Sequence, residues 1–404
     1  MCAMASAALP LVRLRTDELP RGPWVYARQV AGGEPSGVPP GALVEVADAA
    51  GRFVGHALWN PSSDIRLRWI SRGKRSDLRQ PARFLEERLR AAHKLRVRTL
   101  LLEEVTDVYR VAHAEGDDLP GLVIDRLGSV LVCEYHALGF ARLHAEVEAA
   151  LSAIYPGLTV LHRVPRSARA AEGMLEDPLP PAVDRGLGLE VRVQEHGLVY
   201  PVLAGAGHKT GFFCDQRDNR RRVAEFARGR DVLDLFCNLA GFGLHAARAG
   251  ARRVRAVDLD ELALARAEQA ARENELAVEM VHADAFDVLR AVGAGSGGAR
   301  PDLIILDPKK LVTGKSELER GLRAYGDLNA LAFSALPPGG LLATFSCSGA
   351  VDLPTFLGTV FAAARRAGVE VRLLDILGAA PDHPQRPDHP RSRYLKGALL
   401  ALDP

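Results

Sequence analysis

Val232-Leu-Asp-Leu-Phe-Cys-Asn-Leu-Ala-Gly-Phe-Gly243 is the stretch on which the fold turns. The apolar run 232–235 reads as a buried strand, and the small residues after it let the backbone turn into a helix and approach a ligand closely. Asp234, Phe236 and Gly241 are therefore candidate cofactor contacts. The next strand ends in Asp258, about twenty residues on, where a carboxylate can accept both hydroxyls of a ribose. Asp284 follows a third short strand, 278–281, and is placed to reach an adenine edge. This layout fits a nucleoside ligand. A dinucleotide site is disfavoured, because Gly241-Phe242-Gly243 is not followed by the third glycine of that fingerprint.

Outward from this stretch, apolar runs at 232–235, 254–257, 303–306, 341–345 and 369–374 alternate with helical segments at 243–248, 261–273, 317–336 and 354–367. Such alternation specifies parallel strands with crossover helices, a doubly wound α/β domain whose ligands bind at the carboxyl ends of the strands. The first 75 or so residues differ: runs at 25–30, 43–46, 52–58 and 65–70, broken by Gly and Pro, predict a small β-barrel. A helix over 79–97 and strands at 123–124 and 130–135 predict a middle α+β domain. The expected domains are 1–77, 78–202 and 203–404.

The chain has 404 residues, 48% of them apolar, and a net charge of +2. Its apolar runs fall far short of the roughly 20 residues that span a bilayer, and no secretion signal opens it, so no membrane role is expected. Five scattered cysteines without a CxxC pair argue against disulfides or a thiolate zinc site and for the reducing cytoplasm. No metal site is expected, and His383 and His389 read as loop residues. With a near-neutral whole, a polyanion must be met locally. Between residues 66 and 98 twelve basic residues face three acidic ones. Arg66, Arg68, Arg72, Lys74 and Arg75 there, with Lys309 and Lys310, are candidate contacts for RNA phosphates. A solvated basic helix face is the alternative. Gly205-Ala-Gly-His-Lys-Thr210 fails as a phosphate loop, since His208 stands where that motif demands glycine.

Two further strand ends carry reactive groups: Asp307-Pro-Lys-Lys310 and Thr344-Phe-Ser-Cys-Ser348. In a doubly wound sheet both flank one cleft, so Asp307 and Cys347 can converge on a substrate. A thiolate beside a carboxylic acid suits a pyrimidine: attack on C6 makes C5 nucleophilic while the acid holds N3. A thiol with a pKa of about 8.5 is only slightly ionised at neutral pH, so Cys347 needs a positive neighbour such as Lys309, Lys310 or a backbone dipole.

Over nearly its whole length the chain resembles the PUA-domain-containing class I methyltransferases that form 5-methylcytosine in 23S ribosomal RNA. The matching stretches are Pro23-Trp-Val25, Ser63-Asp-Ile-Arg66, Glu115-Gly-Asp-Asp-Leu-Pro-Gly-Leu-Val-Ile-Asp125, His208-Lys-Thr-Gly-Phe-Phe-Cys-Asp-Gln-Arg217, Asp307-Pro308, Phe345-Ser-Cys-Ser-Gly349, Asp382-His-Pro384 and Tyr394-Leu-Lys-Gly397. The resemblance implies an RNA-binding PUA barrel, a linking domain, and a Rossmann-like methyltransferase domain with a reversed final strand near 393–402. It implies Cys347 as nucleophile, Asp307 as the acid beside it, and S-adenosylmethionine held by Gln216, Arg217, the loop from Phe236 to Gly241, Asp258 and Asp284. Ribosomal RNA would be the partner, and a homodimer is left open. The chain departs from the family pattern at Lys309 and Leu311, at Leu239 and Ala240, and at Asp118, where the family usually has glycine. Two alternatives stand beside this reading: methylation of a base amine through the Asp-Pro strand end, and an RNA-binding paralogue that keeps the fold without catalysis.

Overall fold

The computed structural model describes residues 9–32, 37–73, 81–181, 183, 188–205, 210–312 and 314–404. Lys74, Arg75, His208 and Lys209 lie outside the described residues. The chain forms two compact units, the first made of Met1–Val191, Leu203–Phe212 and Pro381–Ser392, the second of Arg192–Val202, Phe213–Ala380 and Arg393–Pro404.

The first unit opens with β1 (Leu11–Arg13), β2 (Trp24–Tyr26), β3 (Leu43–Ala47), β4 (Phe53–Trp59) and β5 (Ile65–Arg72), in a sheet ordered β1-β3-β4-β5-β2. Alternate residues Val44, Val46, Ala57, Trp59, Leu67 and Trp69 point into one core, as the period of two along a strand requires. Strands lie at all four expected runs, although the first is cut short at Tyr26 by a 3-10 turn over Ala27–Gln29, and β1 adds a fifth. Next come α1 (Pro81–Lys94), β6 (Val108–His113), β7 (Leu122–Leu127), β8 (Val130–Tyr135), α2 (Leu138–Arg142), α3 (His144–Ile154), β9 (Thr159–Arg163) and α4 (Arg166–Glu172). Strands β6 to β9 form a sheet in chain order, and Leu85 and Leu89 of α1 pack with Tyr109, Ile124 and Leu131 of that sheet.

Arg96, two residues past α1, is fully buried. Its guanidinium donates to both carboxylate oxygens of Asp117 at 2.6 and 2.7 Å. It also donates to the Arg110 carbonyl at 2.8 Å and the Asp382 carbonyl at 2.6 Å. The Asp382 carboxylate in turn accepts the Arg110 N–H at 2.8 Å, so a late segment of chain is stitched into the first unit. Asp118 adopts φ +56°, the left-handed region that favours glycine and that aspartate tolerates. Its carboxylate pairs with Arg88 at 3.1 Å and with Arg386.

A hairpin of β10 (Leu189–Glu195) and β11 (Leu198–Ala204) leads on to α5 (Arg217–Ala224), β12 (Asp231–Leu235), α6 (Gly241–Arg248), β13 (Arg253–Asp258), α7 (Glu261–Glu273), β14 (Glu279–His282) and α8 (Ala285–Gly293). The chain finishes with β15 (Leu303–Leu306), α9 (Leu318–Ala335), β16 (Leu341–Ser346), α10 (Leu353–Arg366), β17 (Val371–Gly378) and β18 (Lys396–Leu402). The seven strands are ordered β14-β13-β12-β15-β16-β18-β17, and β18 runs antiparallel between β16 and β17. This is the doubly wound sheet with a reversed last strand that the resemblance implied. Its pleat divides the apolar residues cleanly. Leu233, Leu235, Ile304, Leu306 and Leu342 face α8, α9 and α10, whereas Val232, Leu303, Ile305, Leu341, Ala343 and Phe345 face α5 and α6.

Arg96→Met is expected to destabilise the protein by about 3–5 kcal/mol, because it leaves the Asp117 carboxylate buried without its cation. Thermal and urea unfolding of the full chain measure it; a loss below about 1 kcal/mol would mean that water replaces the guanidinium there.

Candidate active site

The turn from β12 into α6 is built from left-handed residues: Phe236, Asn238 and Ala240 have φ of 60°, 50° and 52°. Ala240 thus holds a conformation that favours glycine. The backbone N–H of Asn238 donates to Asp258 Oδ2 at 2.8 Å, and that of Asp260 to Asp258 Oδ1 at 3.0 Å. Asp258 is therefore locked at the tip of β13 beside the turn. Asp234 is buried; its Oδ2 accepts the Gly243 N–H at 2.8 Å, while Oδ1 has no hydrogen-bond partner among the described residues. Burial, reinforced by the charges of Asp307 and Asp258, pushes its pKa up to about 7 against the opposing pull of the Gly243 N–H and Arg220. A buried acceptor left open beside a cramped turn and a fixed carboxylate is what a nucleoside with a polar tail would complete. Asp284 caps α8, its Oδ1 accepting the N–H of Phe286 at 2.8 Å and of Asp287 at 3.3 Å.

The space over Gly241 is taken by protein. A Cβ there would lie 2.5 Å from Arg220 Nε, so Arg220 imposes the glycine. Arg220 is buried, donates to both oxygens of Glu195 at 2.9 Å, and reaches the Phe213 carbonyl at 2.8 Å. Burial alone would raise Glu195, but Arg220 and His245, whose Nε2 lies 3.2 Å away, hold it down to about 2. The sequence offered no signal for this pair, since Glu195 ends a strand in which charged and polar residues alternate with valines.

Asp307 and Cys347 sit one residue past β15 and β16, which pair in parallel with Leu306 opposite Thr344. By pleat parity, 303, 305 and 307 share a face with 341, 343, 345 and 347, the face covered by α5. Cys347 accordingly packs against the cluster that holds Phe345, Leu395 and Leu399. From strand spacing and rise, two such positions lie roughly 8 Å apart, room for a pyrimidine ring between them. The two strand-end loops are tied together: Ser348 Oγ accepts the Val312 N–H at 3.2 Å and bonds the Tyr325 hydroxyl at 3.0 Å, which accepts from Ser346 Oγ at 2.9 Å.

Gln216, expected at the cofactor, donates from Nε2 to Asp307 Oδ2 at 2.9 Å and accepts from Asn219 Nδ2 at 2.5 Å. It thereby fixes the acid, a link that spacing along the chain did not reveal. Arg217 is only 1% exposed and lies against Asp218 at 3.2 Å.

The basic run is more structural than expected. Arg68 is turned inward, pairing with Glu172 at 2.8 Å and Glu115 at 3.7 Å. Arg83, Arg88, Arg90 and Arg96 each meet an acid, and Arg66 donates to the carbonyls of Pro61 and Ser63. Arg72 stays exposed over the Trp69 ring at 5.1 Å, and Lys309 and Lys310 are exposed. No helix among the described residues is long and apolar enough to cross a membrane, and among them no group of three or more metal-ligating side chains forms.

Residues 183–397 match the family of S-adenosylmethionine-dependent methyltransferases, and residues 19–72 match the PUA-like domain. The chain is 36% identical to the ribosomal RNA large subunit methyltransferase I of Shewanella frigidimarina, over 95% of this chain and 96% of that one. It is 36% identical to the protein of the same name from Photobacterium profundum, over 97% and 98%. Among solved structures, a methyltransferase complexed with SAH, SMU.776, superposes with a TM-score of 0.77 at 20% identity, covering 98% of this chain and 100% of the other. A methyltransferase from Streptococcus mutans gives 0.75 at 21% identity, over 94% and 95%. With residues 183–397 matched by the methyltransferase family and relatives matched over nearly the whole of both chains, this chain belongs to the S-adenosylmethionine-dependent methyltransferases, in the family of the large subunit methyltransferase I proteins.

Proposed function

We propose that this methyltransferase modifies carbon 5 of a cytosine in large-subunit ribosomal RNA, with Cys347 as nucleophile and Asp307 as the group that holds the base. The observation that carries this reading is the pairing of thiol and carboxyl on one face of adjacent strand ends, with the carboxyl braced by Gln216 at 2.9 Å. The names of the relatives and the PUA-like domain support ribosomal RNA as the substrate.

A target base must leave its stack to reach such a cleft. The Cys347 thiolate then adds to C6, and Asp307 bonds the N3 and amino edge so that charge does not build on the ring. Carbon 5, made electron-rich, takes the methyl group; a base removes the C5 proton; the C6–S bond breaks and the thiolate is regenerated. S-adenosylmethionine, when bound, supplies the electrophilic methyl. Asp258 would hold its ribose, the 236–241 turn its flank, and Asp284 its adenine edge, while the open Oδ1 of Asp234 faces its polar end. Exposed Lys309 and Lys310 would steer the RNA backbone, together with Arg72 on the barrel.

Cys347→Ala is expected to abolish transfer of labelled methyl to unmodified large-subunit RNA, and Asp307→Asn to slow it by about 10²–10⁴-fold. Nucleoside analysis of the wild-type product should give 5-methylcytosine. Undiminished transfer by Cys347→Ala, or a methyl on an exocyclic amine, would sink the covalent route.

Asp258→Ala should weaken S-adenosylmethionine binding by at least about tenfold in calorimetry, with loss of a charge-assisted hydrogen-bond pair. Equal affinity in the variant would place the ribose elsewhere.

A further inference from the structure

Lys396 opens β18 and pairs across the sheet with Ser346, the residue before Cys347. It is 4% exposed, and its ammonium donates to the Ser348 and Val351 carbonyls at 2.6 Å each. Those two bonds clasp the turn that begins at the thiol. No carboxylate among the described residues comes within ion-pairing distance of it. A buried ammonium is costly without an anion, so a lysine kept here points to a negative charge that forms nearby during function.

The groups around the turn make Cys347 that anion. Asp352, at the start of α10, caps its own helix by accepting the Thr355 N–H at 2.8 Å. Tyr325 of α9 is a phenol pushed up by burial, and neutral. Asp307 is held by Gln216. Lys310, from the loop after β15, adds a second positive charge.

We propose that Lys396 is a positioning residue that stabilises the Cys347 thiolate, by clasping the 346–351 turn from beneath and placing a fixed positive charge under it. The inference rests on Cys347 as the nucleophile. Burial lowers the Lys396 pKa to about 8, an effect that the charges of Cys347 and Asp352 oppose, and by the same attraction a protonated Lys396 favours the thiolate. On this account the lysine touches no substrate. It raises the fraction of enzyme ready to attack C6, and its loss slows turnover without weakening the cofactor.

The test is the titration of the thiol itself. Wild type, Lys396→Met, Lys396→Gln and Lys396→Arg are alkylated with iodoacetamide from about pH 5 to pH 10, and modification of the Cys347 peptide is followed by mass spectrometry. Among the described cysteines only Cys347 is not buried. The Met and Gln variants should shift the midpoint up by about one pH unit and slow neutral-pH alkylation roughly tenfold, and Arg should restore most of both. Should Met fail to fold, Gln, which keeps a donor for the Ser348 carbonyl without the charge, gives the same reading. A midpoint unchanged in a folded Gln or Met variant overturns the proposal. Because alkylation requires neither RNA nor methyl donor, it can fail while methyl transfer through Cys347 stands, and the reverse.

Discussion

The hydroxyl of Ser348 is the contact on which the site depends. It receives the Val312 N–H from one strand-end loop and shares a hydrogen bond with Tyr325 of α9, while belonging itself to the other loop. Asp307 leads one loop and Cys347 the other. Strand pairing fixes β15 against β16 only as far as residues 306 and 344; past that point nothing in a parallel ladder dictates how two irregular segments stay in register. A buried side-chain network does, and its low-dielectric setting makes each missing partner cost about 1–3 kcal/mol.

Buried cations do similar work elsewhere. Arg96 holds the carbonyls of Arg110 and Asp382, Arg220 that of Phe213, and Lys396 those of Ser348 and Val351. In each case the carbonyls include one from irregular backbone, outside the regular helix and sheet ladders. Arg96 and Arg220 have an acid to balance them, Asp117 and Glu195. Among the described residues Lys396 has none, which sets it apart chemically.

Periodicity exposed most of the second unit. The strand at 303–306 and the helix at 261–273 coincide with β15 and α7, since a four-residue apolar run between turns and a helix bounded by Asp260 leave little freedom. The reversed strand β18 came only through resemblance, because an apolar run carries no sign of its direction. Long-range polar links were invisible: Gln216 and Asp307 are 91 residues apart, and Arg220 and Glu195 meet as two charges among many. Arg68 misled for the same reason. Basic residues near one another in sequence do not reveal which will find an inward carboxylate, and Glu172 lies 104 residues away.

The segment Pro381–Ser392 belongs to the first unit although the whole of β12 to β17 precedes it. Asp382 accepts from Arg96 and Arg110, Arg386 pairs with Asp118, and His389 meets Trp24 ring to edge at 4.4 Å. During synthesis the earlier part of the first unit therefore waits, its Arg96 short of an acceptor and its Trp24 short of a neighbour, until Asp382, 286 residues beyond Arg96, and His389 leave the ribosome. At about 5–20 residues per second that interval lasts on the order of ten seconds or more. The barrel reaches its finished form only in a polypeptide that has also been translated through its methyltransferase domain, so products that stop before His389 lack a completed barrel.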